Sequence, residues 1–150
     1  MQERPVTVYA GLGHVERFPD YWEIISDKES ATSLSAFATD PEKNTQLDVG
    51  LIQRGAKVST SVSLFYNDIE DYILIESNVR KGMRMATIAR NVDATTWGGE
   101  AGLSYTIATS WKTDLTLAYT RGENDTDDHA LAQQSPLEGR WSLHYDNGTW

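Results

Sequence analysis

Met83 and Met85 stand two residues apart and are the one closely spaced pair of soft donor atoms in the chain. Thioethers and imidazoles are donors that suit transition metals, so a metal would be sought at this pair and at the histidines. Side chains i and i+2 of a strand share a face, so both sulfurs would reach one side if this segment is extended. His14 and His129 fall in or near long polar stretches, and His144 lies on the polar side of an alternating run. The plainer reading stands beside each: a loop methionine packs or touches nothing, and a lone loop histidine is solvated. No reaction centre emerges. There is no cysteine, hence no thiolate, disulfide or cysteine zinc site. No His-Glu-x-x-His run or Ser-His-Asp order occurs. Gly11-Leu12-Gly13 lacks both a following helix pattern and a P-loop lysine. The acidic run Glu123 to Asp128 lacks the order of a calcium loop and reads as a solvated loop. The expectation is that the chain is not an enzyme and holds no cofactor.

Those residues must be held by something. The chain has 150 residues, one domain's worth, and 22 acidic against 13 basic residues give a formal charge of -9. That balance argues against a nucleic-acid partner, which would want a basic face. No apolar run approaches the roughly 18 residues of a membrane helix. A transmembrane barrel, however, hides its apolar surface in alternation.

Alternation is what the chain shows. From Val58 to Asn67, Val58, Thr60, Val62, Leu64 and Tyr66 oppose Ser59, Ser61, Ser63, Phe65 and Asn67. A strand separates these sets and a helix scrambles them. The same split recurs with apolar faces Val6/Val8/Ala10/Leu12, Leu47/Val49/Leu51, Trp97/Ala101/Leu103/Tyr105/Ile107, Leu115/Leu117/Tyr119 and Leu137/Trp141/Leu143/Tyr145. Six strands result, with no charge on any apolar face. Asp48, Glu100, Asp114, Glu138 and Arg140 fall on the polar faces.

A soluble β-sandwich binding module would also split its strands this way. Three features favour a barrel in a bilayer. Tight turns at Gln53 to Ala56, Thr109-Ser110 and Asp146 to Gly148 alternate with long polar stretches at Pro19 to Thr45, Ser77 to Ala86 and Gly122 to Ser135, as in outer-membrane barrels. Val58 to Ile75 and Thr87 to Ile107 exceed the 9–11 residues that a tilted crossing needs. Aromatics mark both strand ends: Tyr66 and Tyr119 toward the long loops, and Tyr105, Trp111, Tyr145 and Trp150 toward the tight turns. Two such rows resemble interfacial girdles.

The order of local motifs resembles the TonB-dependent outer-membrane receptors, in the second half of their barrel. Tyr9 to Pro19 looks like that family's strand ending in an aromatic, basic and proline cluster. Asp40-Pro41-Glu42-Lys43 leads into a descending strand. Phe65-Tyr66-Asn67-Asp68-Ile69-Glu70-Asp71-Tyr72-Ile73 is similar to the signature at the top of the next one. Asn91-Val92-Asp93-Ala94 followed by Gly98-Gly99-Glu100-Ala101 is similar to the strand after it. The runs Gly82 to Tyr105 and Gly11 to Glu23 are most similar to the copper receptors of the family.

This resemblance implies an all-β antiparallel meander of about six strands, residues 1-150 forming a fragment of a large transmembrane barrel. Six tilted strands would leave open edges in lipid, so the plug and terminal strands are expected to lie outside this stretch. It implies a copper ion as transported substrate, with a siderophore receptor of the same family as alternative. The partners implied are outer-membrane lipid, the plug, and the TonB energy-coupling protein, and the location is the outer membrane of a Gram-negative cell. Candidate metal contacts are Met83, Met85, His14 and His129.

Overall fold

The computed structural model describes residues 6–20, 23, 39–81, 83–132 and 134–148. The elements are β1 (Val6–Arg17), β2 (Glu42–Arg54), β3 (Val58–Lys81), β4 (Arg84–Ala108), β5 (Trp111–Asn124), β6 (His129–Ala130) and β7 (Glu138–Tyr145). They form one antiparallel sheet in sequence order, β6 and β7 both pairing with the free edge of β5. The two-residue β6 and the longer β7 run in the same direction along β5. They are two halves of one interrupted strand, so the six-strand meander holds.

Register explains why the alternation is shared between strands. The ladder Val8, Leu51, Val62, Ala101, Leu117, Gly139 runs across the sheet, and Leu12, Leu47, Tyr66, Trp97, Arg121 runs above it. A one-residue slip would turn every apolar side chain into the lumen. The apolar face is exposed from β1 to β7, and the few buried apolar residues, Ile69, Ile73, Val92 and Ala94, sit high in β3 and β4. A soluble sandwich would bury the face that is open here. No helix among the described residues is long and apolar enough to cross a membrane, which says nothing of strands.

The tight turns gather at one end. Residues 55–57 join β2 to β3, with the Gly55 N–H donating to the Val58 carbonyl at 2.9 Å; the turn starts two residues later and ends one later than the sequence suggests. Thr109-Ser110 joins β4 to β5, with Ala108 opposite Trp111. After β7, Gly148 adopts φ 68° and donates its N–H to Asp146 Oδ1 at 2.8 Å, a conformation that glycine takes without a Cβ penalty.

The opposite end departs from the expectation. Ser77 to Ala86 is not a loop: β3 and β4 continue as a two-stranded arm up to the Lys81–Arg84 rung. Above the membrane both faces are wet, so period-two alternation vanishes while the backbone ladder persists. Two bulges, each adding a residue to β3, shift the register between Ile69 and Tyr72 and between Glu76 and Val79. Asp71 (φ 58°) and Asn78 (φ 63°) sit at them, residue types that tolerate the left-handed region. The expected loop Gly122 to Ser135 is shorter as well, because β5 runs to Asn124 and β6 returns beside it. Of Pro19 to Thr45, residues 21, 22 and 24–38 lie outside the described residues, as does Trp150 of the lower aromatic row.

Candidate functional site

The outward face carries two aromatic rows. Trp97 and Tyr119 pack with ring centroids 5.6 Å apart at the upper row, beside Tyr66. Trp111 and Tyr145 pack at 4.8 Å at the lower row, near Tyr105. From Trp97 to Tyr105, about eight residues at ~3.3 Å each with a tilt near 40° give roughly 20 Å of height. That is close to the ~25 Å apolar band of outer-membrane barrels.

The other face is polar. Gln46 donates to both carboxylate oxygens of Asp48 at 2.9 Å, and Asn67 donates to Thr96 at 2.9 Å. Asp114 lies 3.1 Å from Lys112 and 3.1 Å from His144. Glu100, Thr116, Glu138 and Arg140 line one concave stretch. Tyr9 lies across Gly50 and Phe65 across Gly98, where an added Cβ would sit 2.3 Å and 2.8 Å from ring atoms. The side-chain oxygens of Asn44 and Asn67 are enclosed without a hydrogen-bond partner among the described residues.

The outer rim is a connected polar cluster at the base of the β3–β4 arm. The Arg90 guanidinium binds Glu76 at 2.8 Å and also binds Asp127 in the turn between β5 and β6. Arg90, with help from Asn124, holds the Asp127 carboxyl below its usual range; the two acids in turn raise the already high Arg90 pKa. The Asn91 side-chain amide donates to the Asp71 carbonyl at 2.6 Å and the Asp40 carbonyl at 3.0 Å, and its oxygen accepts from the Asp40 N–H at 2.8 Å. The Asp93 N–H donates to Thr126 Oγ1, and the Asp125 N–H to the Asp93 carbonyl, both at 2.8 Å. The arm is thus tied on both edges, to residues before β2 and to the β5–β6 turn. Farther along β1, Arg17 bridges Glu23 at 3.0 Å and Glu42 at 3.1 Å. Leu131 and Gln134 close over Gly122, on the lumen side of β5.

The residues singled out as metal contacts are dispersed. Met83 stands fully exposed in the turn at the end of the arm, and Met85, 62% exposed, lies on β4 with the parity of Trp97. The strand-face rule therefore applies to Met85 and not to Met83. His14 sits on β1 with Nδ1 3.0 Å from Thr45 Oγ1, and His129 on β6 with Nδ1 2.7 Å from the Asp128 carbonyl oxygen. His144 faces the lumen beside Asp114, as the alternation predicts. Among the described residues no three His, Asp or Glu side chains gather as a metal cage. The rim residues Arg90, Asn91 and Asp127 escape a reading of the sequence for chemistry. The signal was the Asn91-Val92-Asp93-Ala94 motif, because most of their partners lie 14 to 51 residues away.

Residues 4–150 match the family described as TonB dependent receptor-like, beta-barrel. Among solved structures, the chain is similar to one titled "Copper transporter OprC", with 48% identity and a TM-score of 0.86 over 99% of its length. It also superposes on the FrpB iron transporter from Neisseria meningitidis (F3-3 variant), with a TM-score of 0.68 over 99% of the chain. At 16% identity the latter shows the fold alone. The chain spans 23% of each of those proteins. No curated protein sequence matches it.

Proposed function

The chain belongs to the TonB-dependent receptors, in the β-barrel that spans the Gram-negative outer membrane, and from that premise we propose that it serves copper uptake. The observation that carries this reading is the 48% identity to a copper transporter over 99% of the chain. Its work in the intact receptor is to form about six strands of wall. The apolar face meets lipid, and the polar face meets the lumen and the plug. The enclosed, unpartnered oxygens of Asn44 and Asn67 suit such a contact. Energy comes from the TonB partner, so the chain carries transport and no chemical conversion. Met83 and Met85 are the proposed first soft atoms met by incoming copper, since Met83 is fully exposed at the end of the arm. His129, in register with Asn124 on the lumen parity, holds Nδ1 on the Asp128 carbonyl, which leaves Nε2 as the atom for a passing ion, whereas His14 shares the outward parity of Leu12.

The test is copper accumulation in cells lacking and carrying the intact receptor at limiting copper, with iron accumulation measured in parallel. Copper should rise with the receptor and fall to the deletion level when an uncoupler collapses the proton gradient. A receptor-dependent rise in iron without one in copper would replace this reading with a siderophore receptor.

A further inference from the structure

The lumen face has one stretch that the wall's own side chains leave uncovered. Among the described residues, six glycines share the lumen parity of the sheet. Tyr9 covers Gly50, Phe65 covers Gly98, Ser61 meets Gly102, and Leu131 with Gln134 closes over Gly122; an added Cβ would clash at each. Gly11 and Gly13 are the other two, and nothing lies within 4 Å of a Cβ added to either. A strand glycine left open in this way marks a place where another backbone approaches closely. The two floor a recess of about 250 Å3 that Asn44, Gln46 and Asp48 line. It lies at the height of the upper aromatic row, because Leu12 shares a ladder with Tyr66 and Trp97. Among the described residues no thioether or imidazole lines it, so a soft metal finds no ligand there.

Asn44, Gln46 and Asp48 fall at every second position of β2, so they form a column on the lumen side with a repeat of about 6.8 Å. The wall uses that column only in part. Gln46 Nε2 donates to both oxygens of Asp48 at 2.9 Å, which leaves Gln46 Oε1 as an acceptor. The Asn44 side chain has no hydrogen-bond partner among the described residues; its Oδ1 is enclosed and its Nδ2 is not. A half-turn of the amide exchanges donor and acceptor. An extended main chain presents an N–H and a C=O on one side at every second residue, with the same repeat. One of its residues can therefore meet Asn44 while the residue two along meets Gln46, in a ladder made with side-chain amides. We propose that the recess seats an extended segment of the receptor's own plug, its main chain lying over Gly11 and Gly13 and hydrogen-bonded to Asn44 and Gln46. The occupant is the plug because the recess opens to the lumen, and because this chain spans 23% of each related transporter, which leaves most of the receptor to supply it. The inference rests on the reading of the polar face as a plug contact, names where and by which chemistry that contact is made, and does not depend on the cargo.

The test uses the intact receptor in lipid vesicles. Gly13, Ser61 lower on the lumen face and Leu12 on the lipid face are replaced in turn by the photoreactive residue benzoylphenylalanine. After illumination, the joined peptides are identified by mass spectrometry. Residue 13 should join one plug peptide, and residue 12 none. Hydrogen exchange then reads the seat without a bulky group in it. In Asn44→Ala the same plug peptide should exchange about fivefold faster, the loss of one hydrogen bond, while the wall strands stay unchanged. Joining of residue 13 to a neighbouring wall strand would overturn the seat. So would a plug peptide at residue 61 and not at 13, or exchange in the joined peptide that does not respond to Asn44→Ala. No plug peptide at either lumen position would overturn the reading of the polar face as a plug contact, and this inference with it.

Discussion

Leu115→Arg is the sharpest perturbation of the lipid face. Leu115 lies midway between Trp111 and Tyr119 on β5, with Leu103 and Trp141 as register partners on either side. Its side chain is 38% exposed with no protein above it, so it sits at the centre of the apolar band. An arginine at that depth costs about 2–4 kcal/mol, a 30- to 700-fold loss in the folding equilibrium at ~1.4 kcal/mol per tenfold. Leu117 is two residues nearer the upper row, about 5 Å along the membrane normal, so Leu117→Arg should cost measurably less. Thr116 lies between them but faces the lumen with Glu100, Glu138 and its register partner Arg140, so Thr116→Arg stays out of lipid and sets two acidic neighbours against one like charge. The assay is urea-induced unfolding of the intact receptor in lipid vesicles, read by heat-modifiable gel mobility. The order of stability should be wild type, Thr116→Arg, Leu117→Arg, Leu115→Arg. Equal stability of the Leu115 and Thr116 variants would refute the assignment of the two faces.

Other perturbations read the packing and the rim. Gly98→Ala forces a Cβ to 2.3 Å from the Tyr119 carbonyl oxygen and 2.8 Å from the Phe65 ring, whereas Gly11 has nothing within 4 Å. Gly98→Ala should therefore destabilise the intact receptor by about 1–3 kcal/mol and Gly11→Ala hardly at all, in the same urea assay. Asn91→Ala removes three hydrogen bonds to Asp40 and Asp71, so amide exchange near Asp40 and at the base of the arm should accelerate. Because the Asp127 carboxyl titrates below its usual value beside Arg90, its contribution is complete above the ordinary carboxylate range. It is lost as pH falls through the lowered value. Protease cleavage in the β5–β6 turn should thus stay slow at neutral pH and rise only in strong acid, while Arg90→Gln raises it at neutral pH.

How much of this was legible depends on whether one face was greasy. Within the membrane band, the split between Leu64 and Ser63, or between Leu117 and Thr116, followed from lipid on one side and water on the other. Strand count, faces and tight turns could be read directly. Above the band both sides are solvated, so Ser77 to Ala86 carried only turn-like composition, and its pairing was set by the ladder continuing from below. The rim is non-local: Asn91 finds Asp40, and Arg90 finds Asp127, only after β2 to β5 have aligned. The break between β6 and β7 was hidden for a similar reason. Leu131 and Gln134 leave the sheet to cover Gly122, a packing choice that no alternation records. The Met83-x-Met85 spacing suggested a shared strand face, but the turn separates the two.

The division of this sheet into a lipid face and a lumen face is tested most directly by a nitroxide scan of β5, residues 112 to 120, in the intact receptor reconstituted into vesicles. Oxygen accessibility, high in lipid, should alternate with period two, peaking at 113, 115, 117 and 119 and greatest near 115. Accessibility to a water-soluble nickel chelate should alternate in the opposite sense. A scan without alternation, or with the maxima at 114, 116 and 118, would contradict the assignment.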